Sequence, residues 1–483
     1  MTSTCHGRHI TRLTAILPFV FYWYSSRVTC VTLLFSEPTK MARKEELARM
    51  WERTTEYLFN QRPAFERDGA SGYKPGLGTS LALDKMYNEP HRNYRIIHIA
   101  GTNGKGSTAH LLASCLQQCG YRVGLFTSPH FIDFRERIRV NGRKISRKFV
   151  MEWVAAYRQK ELGDIEPSFF ELTSTMAFDY FAWRNVNVAV IETGLGGRLD
   201  STNIVTPDLS VITNIGLEHQ QFLGNTIEDI ASEKAGIIKH GKPVVVGKAE
   251  GSVRRVLEYY AKKMYAEIKF AQDKPEVLDA KYVDGMLSLK TANYGTIDCE
   301  LTGDFQIENA NTVLTALDIL KRLKYRIKED TVRKGFATVV ETTGLMGRWM
   351  TLGTAPLTIC DSAHNVASIT QAMKQLKKET YDKLHMVMGF MADKDIDGIL
   401  KLLPQNATYY FTQAQTSRAL PVKDLKEIAT RHGLKGNTYN HVAEALDAAR
   451  QAALRRDVIY IGGSMYVLAE LLKAISYDDN LDS

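Results

Sequence analysis

Short apolar runs alternating with stretches of helical periodicity dominate the chain from residue 95 onward. Residues 95–100, 122–127, 186–191, 209–214 and 244–246 read as strands, and the intervals between them carry apolar positions at helical spacing. Val188-Ala189-Val190-Ile191 is apolar on both faces, as a central parallel strand covered by helices requires. Upstream, 45–59 reads as a helix, 62–78 as a loop rich in glycine, proline and charge, and 81–87 as a helix feeding the first strand. This pattern predicts a doubly wound, mostly parallel α/β sheet with ligands at the carboxyl ends of its strands. Between 248 and 303 the spacing changes to β-type alternation, clearest at 281–290, and predicts a small antiparallel appendage. After a linker near 341–347, strands at 358–361, 386–390, 408–412 and 458–461 alternate with helices again, which predicts a second, Rossmann-like α/β domain. It has no Gly-x-Gly-x-x-Gly turn, so a redox dinucleotide is not indicated. The expected division is a leader at 1–40, a first domain at 41–345 and a second at 346–483.

Composition agrees with this organisation. A chain of 483 residues exceeds what one core usually organises, and 44% apolar residues suffice for large cores. The formal charge is +8, of which Arg8, Arg12, Arg27 and Lys40 against Glu37 supply +3. The remaining +5 suits anionic small molecules; without an arginine-rich helix or an aromatic–basic patch, neither nucleic acid nor a membrane is an expected partner. Six cysteines are sparse, lack metal-site spacing and fit a reducing, cytoplasmic setting. The leader carries two apolar runs, 13–24 and 28–35, each too short to span a bilayer. It reads as an upstream start ahead of Met41 or as a targeting segment, in either case disordered or loosely attached.

The chemistry concentrates at His98-Ile99-Ala100-Gly101-Thr102-Asn103-Gly104-Lys105-Gly106-Ser107-Thr108, a glycine-rich turn between a strand and a helix beginning near Ser107. Such a turn aims backbone N–H groups at phosphate oxygens, Lys105 adds a charge, and Ser107 has the reach to meet a magnesium ion. The spacing departs from the common P-loop, because Gly106 separates the lysine from the serine. Four further segments follow in order: Thr127-Ser128-Pro129-His130, Glu192 to Asn203 (ETGLGGRLDSTN), Gly216-Leu217-Glu218-His219, and Asp361-Ser362-Ala363-His364-Asn365. Together with the loop they resemble the folylpolyglutamate synthase/dihydrofolate synthase family of the Mur-ligase superfamily, over nearly everything after residue 45.

That resemblance implies ATP as co-substrate, bound by Gly101, Thr102, Asn103, Gly104, Lys105, Gly106, Ser107 and Asn309, and from the second domain by Arg348 and Asp361. It implies Mg2+, expected as two ions, at Ser128, Glu192, His219 and Lys234. Glu192 ends an apolar strand where an unpaired carboxylate is costly, and magnesium prefers such hard oxygen donors. Periodicity places Lys234 on a buried stripe with Ile227, Ile230, Ala231 and Ile238. A buried lysine shifts towards the neutral amine, and the family implies a carbamate there; pairing with Glu233 or a nearby acid is the alternative. The resemblance assigns the pterin or folate to Lys74, Pro75, Gly76, Phe170, Glu171, Thr173 and Leu199. Lys105, Lys234 and His364 form the expected catalytic set.

The implied reaction is an ADP-forming ligation of L-glutamate to dihydropteroate and to the γ-carboxylate of tetrahydrofolates through an acyl phosphate, carried out by a monomer. Polyglutamylation alone, and a Mur-type ligation of a cell-wall precursor, stay open as alternatives. A P-loop switch is disfavoured, since no Asn-Lys-x-Asp guanine-reading motif stands in a suitable position.

Overall fold

The structure is a computed structural model that describes residues 40–72, 74, 76–160 and 165–475. The leader therefore lies, but for Lys40, outside the described residues. Backbone contacts separate a short unit ending at Arg49, whose described part opens the helix Lys40–Asn60, from a large unit, Met50–Ser483, that contains every sheet.

The first sheet has eight strands: β1 (Arg95–Ala100), β2 (Val123–Phe126), β3 (Ile138–Val140), β4 (Arg143–Lys144), β5 (Val188–Glu192), β6 (Leu209–Asn214), β7 (Val244–Lys248) and β8 (Ile268–Phe270). Their spatial order is β4-β3-β2-β5-β1-β6-β7-β8, with β2, β5, β1, β6, β7 and β8 parallel. From β1 the chain moves out to β2, β3 and β4 on one side, returns to insert β5 between β2 and β1, and then continues through β6, β7 and β8 on the other side. The carboxyl ends of β5, β1 and β6 thus open side by side at the reversal, the place where doubly wound sheets bind ligands. The β3–β4 hairpin is an addition to the sequence reading, marked by Asn141-Gly142, both at positive φ as a two-residue hairpin turn demands. β5 is fully buried along its length, which its unbroken apolar run required.

One face of this sheet packs on the helices Lys105–Gln118 and Phe305–Arg322, the other on Phe169–Trp183. The predicted appendage is the antiparallel sheet β9 (Val277–Val283), β10 (Met286–Thr291) and β11 (Thr296–Cys299). Its Leu287, Leu289 and Ile297 join the first core; fully burying such side chains stabilises by about 1.5–3 kcal/mol each. The second sheet runs β12-β13-β17-β14-β15-β16, built from β12 (Met350–Thr354), β13 (Leu357–Cys360), β14 (Leu384–Met388), β15 (Thr408–Phe411), β16 (Gly436–Thr438) and β17 (Val458–Gly462). All neighbours except β12–β13 are parallel, with apolar clusters on both faces. Among the described residues no helix is long and apolar enough to cross a membrane.

Candidate active site

The loop after β1 is shaped by two glycines whose replacement is sterically blocked. A Cβ at Gly101 (φ +150°) would sit 1.9 Å from Thr213 Oγ1, and one at Gly104 (φ +83°) 2.2 Å from Asn309 Oδ1. The helix begins at Lys105, two residues before the sequence reading placed it, because Gly104 turns the chain into it. The rest of the loop hangs on β6 and the segment beyond. Thr102 N–H donates to the Asn214 carbonyl (2.9 Å), Asn103 N–H to Asn214 Oδ1 (2.9 Å) and Thr213 Oγ1 to the Asn103 carbonyl (2.6 Å). Lys105 Nζ folds back onto the carbonyls of Gly101 and Thr102. Ser107 accepts from Gln306 Nε2 (3.2 Å), whose Oε1 in turn accepts from Asn309 Nδ2 (2.8 Å). Gln306 is thus a support for the loop that the sequence motifs did not single out.

Lys234 lies beneath this loop. A capping box between Thr226 and Asp229 starts the helix Ile227–Ala235, and the predicted apolar stripe brings Lys234 to 1% exposure. Its Nζ donates to the Gly101 carbonyl (3.0 Å) and to Glu218 Oε1 (2.6 Å). Burial pulls the amine below its ordinary pKa while Glu218 opposes the shift; burial pushes Glu218 up, but Lys234 and Lys105 bring it well below the usual carboxylate range. The partner is therefore Glu218, whereas Glu233 pairs with Arg198 (2.7 Å). The signal for Glu218 was its place between Gly216 and His219, a motif read for its histidine.

Glu192, at the end of β5, is buried and accepts the Ser128 N–H (3.2 Å). Burial raises its pKa, and Lys105, the Ser128 N–H and Arg348 oppose this. Its Oε2 and Arg348 Nη2 flank Gly106, 3.9 and 3.6 Å from where a Cβ would stand. Glu192 and Ser128 both line the cavity of the loop, so the residues beside the phosphate cradle include a carboxylate and a serine, oxygen donors of the kind magnesium takes. The expected four-residue metal set does not assemble as a whole. His219 lines the adjoining cavity, and Lys234 lines neither because its ammonium is engaged below the loop.

From the second sheet, Asp361 follows β13 and accepts N–H groups from Trp349 (2.7 Å) and Ala363 (2.8 Å), which fixes the turn that presents Arg348 and His364. Arg348 donates to the Ser362 hydroxyl and to the Gly347 carbonyl (3.1 Å). His364 Nδ1 lies 2.9 Å from the Ser362 carbonyl; a carbonyl only accepts, so Nδ1 carries the proton and Nε2 keeps its lone pair. Burial first, then Lys394, lowers the His364 pKa to about 4. His219, in the left-handed region at φ 46°, is lowered to about 4 chiefly by burial.

Two cavities result. The first, about 270 Å³, is lined by the loop, Glu192, Asn309, Arg348 and Asp361. The second, about 200 Å³, is lined by Lys74, Phe170, Leu199 and Asp200 on one side and by Lys394, Arg418 and Ser464 on the other. Ser128, Pro129, His364 and Met465 line both, so the cavities meet where the two sheets direct their carboxyl ends at one another. Asp200 builds the wall of the second cavity, accepting N–H groups from Gly194, Leu195 and Thr202. Lys394, in the loop after β14, and Arg418, in the loop after β15, each lie near Asp393 and give that cavity two cations from segments in which the sequence shows no motif.

The expected pterin set is only partly assembled there. Phe170 stands against Gly194 and lines the cavity with Lys74 and Leu199, while Gly76 is not among the lining residues and Pro75 lies outside the described residues. Glu171 and Thr173 do not line this cavity. The Glu171 carboxylate accepts the N–H and hydroxyl of Ser168 in a capping box, and the Thr173 hydroxyl donates to the Phe170 carbonyl (3.1 Å), so both polar groups serve the helix Phe169–Trp183.

Comparison with known proteins agrees with this geometry. The Mur ligase middle domain matches residues 99–317, and the Mur ligase glutamate ligase domain matches 347–465. The two matches define a Mur-type ligase. The dihydrofolate synthase/folylpolyglutamate synthase of Bacillus subtilis is 33% identical over 84% of this chain and 96% of its own. A probable bifunctional folylpolyglutamate synthase/dihydropteroate synthase of Haloferax volcanii is 33% identical over 82% of this chain, which spans 48% of that longer protein. The folylpolyglutamate synthase of Mycobacterium tuberculosis complexed with ADP and AMPPCP superposes with a TM-score of 0.79, at 30% identity and 90% and 99% coverage. A bifunctional folylpolyglutamate synthase/dihydrofolate synthase with Mn, AMPPNP and L-glutamate bound superposes at 0.69, with 28% identity and 83% and 95% coverage. The chain belongs to the folylpolyglutamate synthase/dihydrofolate synthase family.

Proposed function

We propose that this protein joins L-glutamate to a pterin-bearing acid, with ATP converted to ADP and phosphate, and that it accepts both dihydropteroate and the γ-carboxylate of tetrahydrofolates. The meeting of the two cavities at Ser128 and His364 carries this reading, because it puts a polyphosphate site and an acid site end to end. A carboxylate has no usable leaving group, so a carboxylate oxygen first attacks the γ-phosphorus and ADP departs, leaving an acyl phosphate. Lys105 and Arg348 both line the nucleotide cavity and would balance charge on the transferring group. Magnesium, held by Glu192 and Ser128, would supply further charge neutralisation. The amine of glutamate then attacks the carbonyl carbon, and the carbon–oxygen bond breaks to release phosphate with the former carboxylate oxygen. His364, neutral with Nε2 unprotonated, receives the proton shed by the amine. Lys394 and Arg418 match the two carboxylates of the incoming glutamate.

The same proposal includes the division at residue 345, with ATP binding upstream and the glutamate-ligating part downstream, and a monomer working in the cytoplasm; the four described cysteines are free thiols, which supports a reducing setting. It also includes a second magnesium near His219 and a carbamate on Lys234. A carbamate beside Glu218 would set two anions together, and a divalent cation would supply the compensating positive charge.

The test is purified protein with MgATP and L-glutamate, offered dihydropteroate or tetrahydrofolate separately, with ADP and product mass followed together. One added glutamyl mass on both acids is expected. Addition to tetrahydrofolate alone would reduce the function to polyglutamylation, and addition only to a UDP-linked precursor would replace it with cell-wall ligation.

A further inference from the structure

The helix Val366–Leu376 spans the nucleotide cavity, and its two ends are held differently. Ala367, Ser368 and Gln371 line the cavity from this helix, which is about 16 Å long. At its far end, Gln375 Oε1 accepts from Tyr282 of the appendage (3.2 Å) and from Asp304 N–H (3.3 Å), and Lys378 Nζ donates to both Asp304 oxygens (2.6 Å each). Asp304 immediately precedes the helix that carries Gln306 and Asn309. That end is a multidentate anchor to the first domain's side of the cavity.

At the near end, among the described residues, one side-chain hydrogen bond joins the helix cap to the phosphate loop. Asn365 is the N-cap: its Oδ1 accepts the Ser368 N–H (2.8 Å), which fixes the amide's orientation and directs Nδ2 outward as a donor. Nδ2 donates to Asn103 Oδ1 (3.1 Å), across 262 positions of sequence. The Asn103 backbone is pinned on both sides, N–H to Asn214 and carbonyl from Thr213, so its side chain is the part of that residue able to change partners. His364, adjacent to Asn365, lines both cavities.

We infer that the Asn103–Asn365 amide pair is an interdomain latch that holds the near end of this helix over the phosphate loop, so that a bound nucleotide gains the second domain's contacts only when the latch is made. Asn365 is a positioning residue, acting through His364, Ser368 and Gln371. The inference rests on the nucleotide half of the proposed function and is independent of which acid and amine are joined.

MgADP binding tests it, since no turnover is needed. Asn365→Ser keeps a good N-cap but is too short to reach Asn103, and Asn103→Ala removes the acceptor. Each is expected to weaken MgADP binding about three- to tenfold, the range of one neutral hydrogen bond, and the double variant to be no weaker than the worse single one. The nucleotide-free melting temperature of Asn365→Ser should stay at the parent value. Wild-type affinity in Asn365→Ser, or a double variant weakened by the product of both singles, would overturn the latch. Asn365→Thr is a second cap-preserving variant; loss of the fold in both would also overturn it, by showing that the amide serves structure alone.

Discussion

The two cavities are built by opposite means. The nucleotide side is mainly backbone: a loop whose glycines are enforced by Thr213 and Asn309 and whose N–H groups are hung on β6. The acid side is made of side chains from seven or more separate segments, from Pro63 to Tyr466, with Asp200 organising one wall and Lys394 and Arg418 the other. A backbone site tolerates almost no change at its turning points and takes any ligand with the right phosphates. A side-chain site can be altered residue by residue, which suits it to set which acid is accepted.

Acidification should give the largest effect, and it does not respect the division. Burial holds His98 and His110 at about 3 and His364 at about 4, with Lys239, Arg139 and Lys394 respectively adding to the shift. These values lie below the ordinary imidazole value of about 6.5. Between that pH and about 4 the unfolded chain therefore binds more protons, and stability falls as pH falls through the window. Denaturant titrations from pH 7 down to 4 should show the midpoint dropping steadily; a flat profile would mean these rings are not held neutral.

Next is the support under the loop. Glu218→Ala leaves Lys234 buried without its carboxylate and should cost about 3–5 kcal/mol in urea unfolding. A loss below about 1 kcal/mol would indicate that the lysine escapes to solvent. Gly104→Ala combines a positive φ with a Cβ 2.2 Å from Asn309, and should weaken ATP binding by at least about a hundredfold, by calorimetry, while leaving binding of the acid intact. The smallest effects sharpen the contrast on the other side. Phe170→Ala should raise KM for the pterin-bearing acid about tenfold without changing KM for ATP. Glu171→Ala should lower stability by about 1 kcal/mol through the lost capping box and leave both KM values unchanged; a raised KM for the acid would restore Glu171 to the binding site.

The same contrast explains what was legible in the sequence. The phosphate loop, the alternation of strands and helices, the appendage and the buried stripe bearing Lys234 are local patterns, and local geometry dictates them. The partner of Lys234 was not legible, because Glu218 and Glu233 are the same residue type and only the fold decides which one faces the amine. Phe170, Glu171 and Thr173 fall within four consecutive positions, yet of the three only Phe170 lines the cavity. The capping box, Ser168 with Glu171 three residues later, was visible and competes for that carboxylate. Lys394 and Arg418 lie in loops whose joint placement depends on the order of β14, β15 and β17, which no local pattern encodes.

In the proposed reaction, phosphoryl transfer occurs where the cavities meet, from ATP to a carboxylate oxygen of the acid. Dihydropteroate carrying 18O in its carboxylate, turned over with MgATP and L-glutamate, tests it directly. The account predicts that the released inorganic phosphate contains one labelled oxygen per product formed. Unlabelled phosphate from a reaction that still yields the glutamyl product would contradict it.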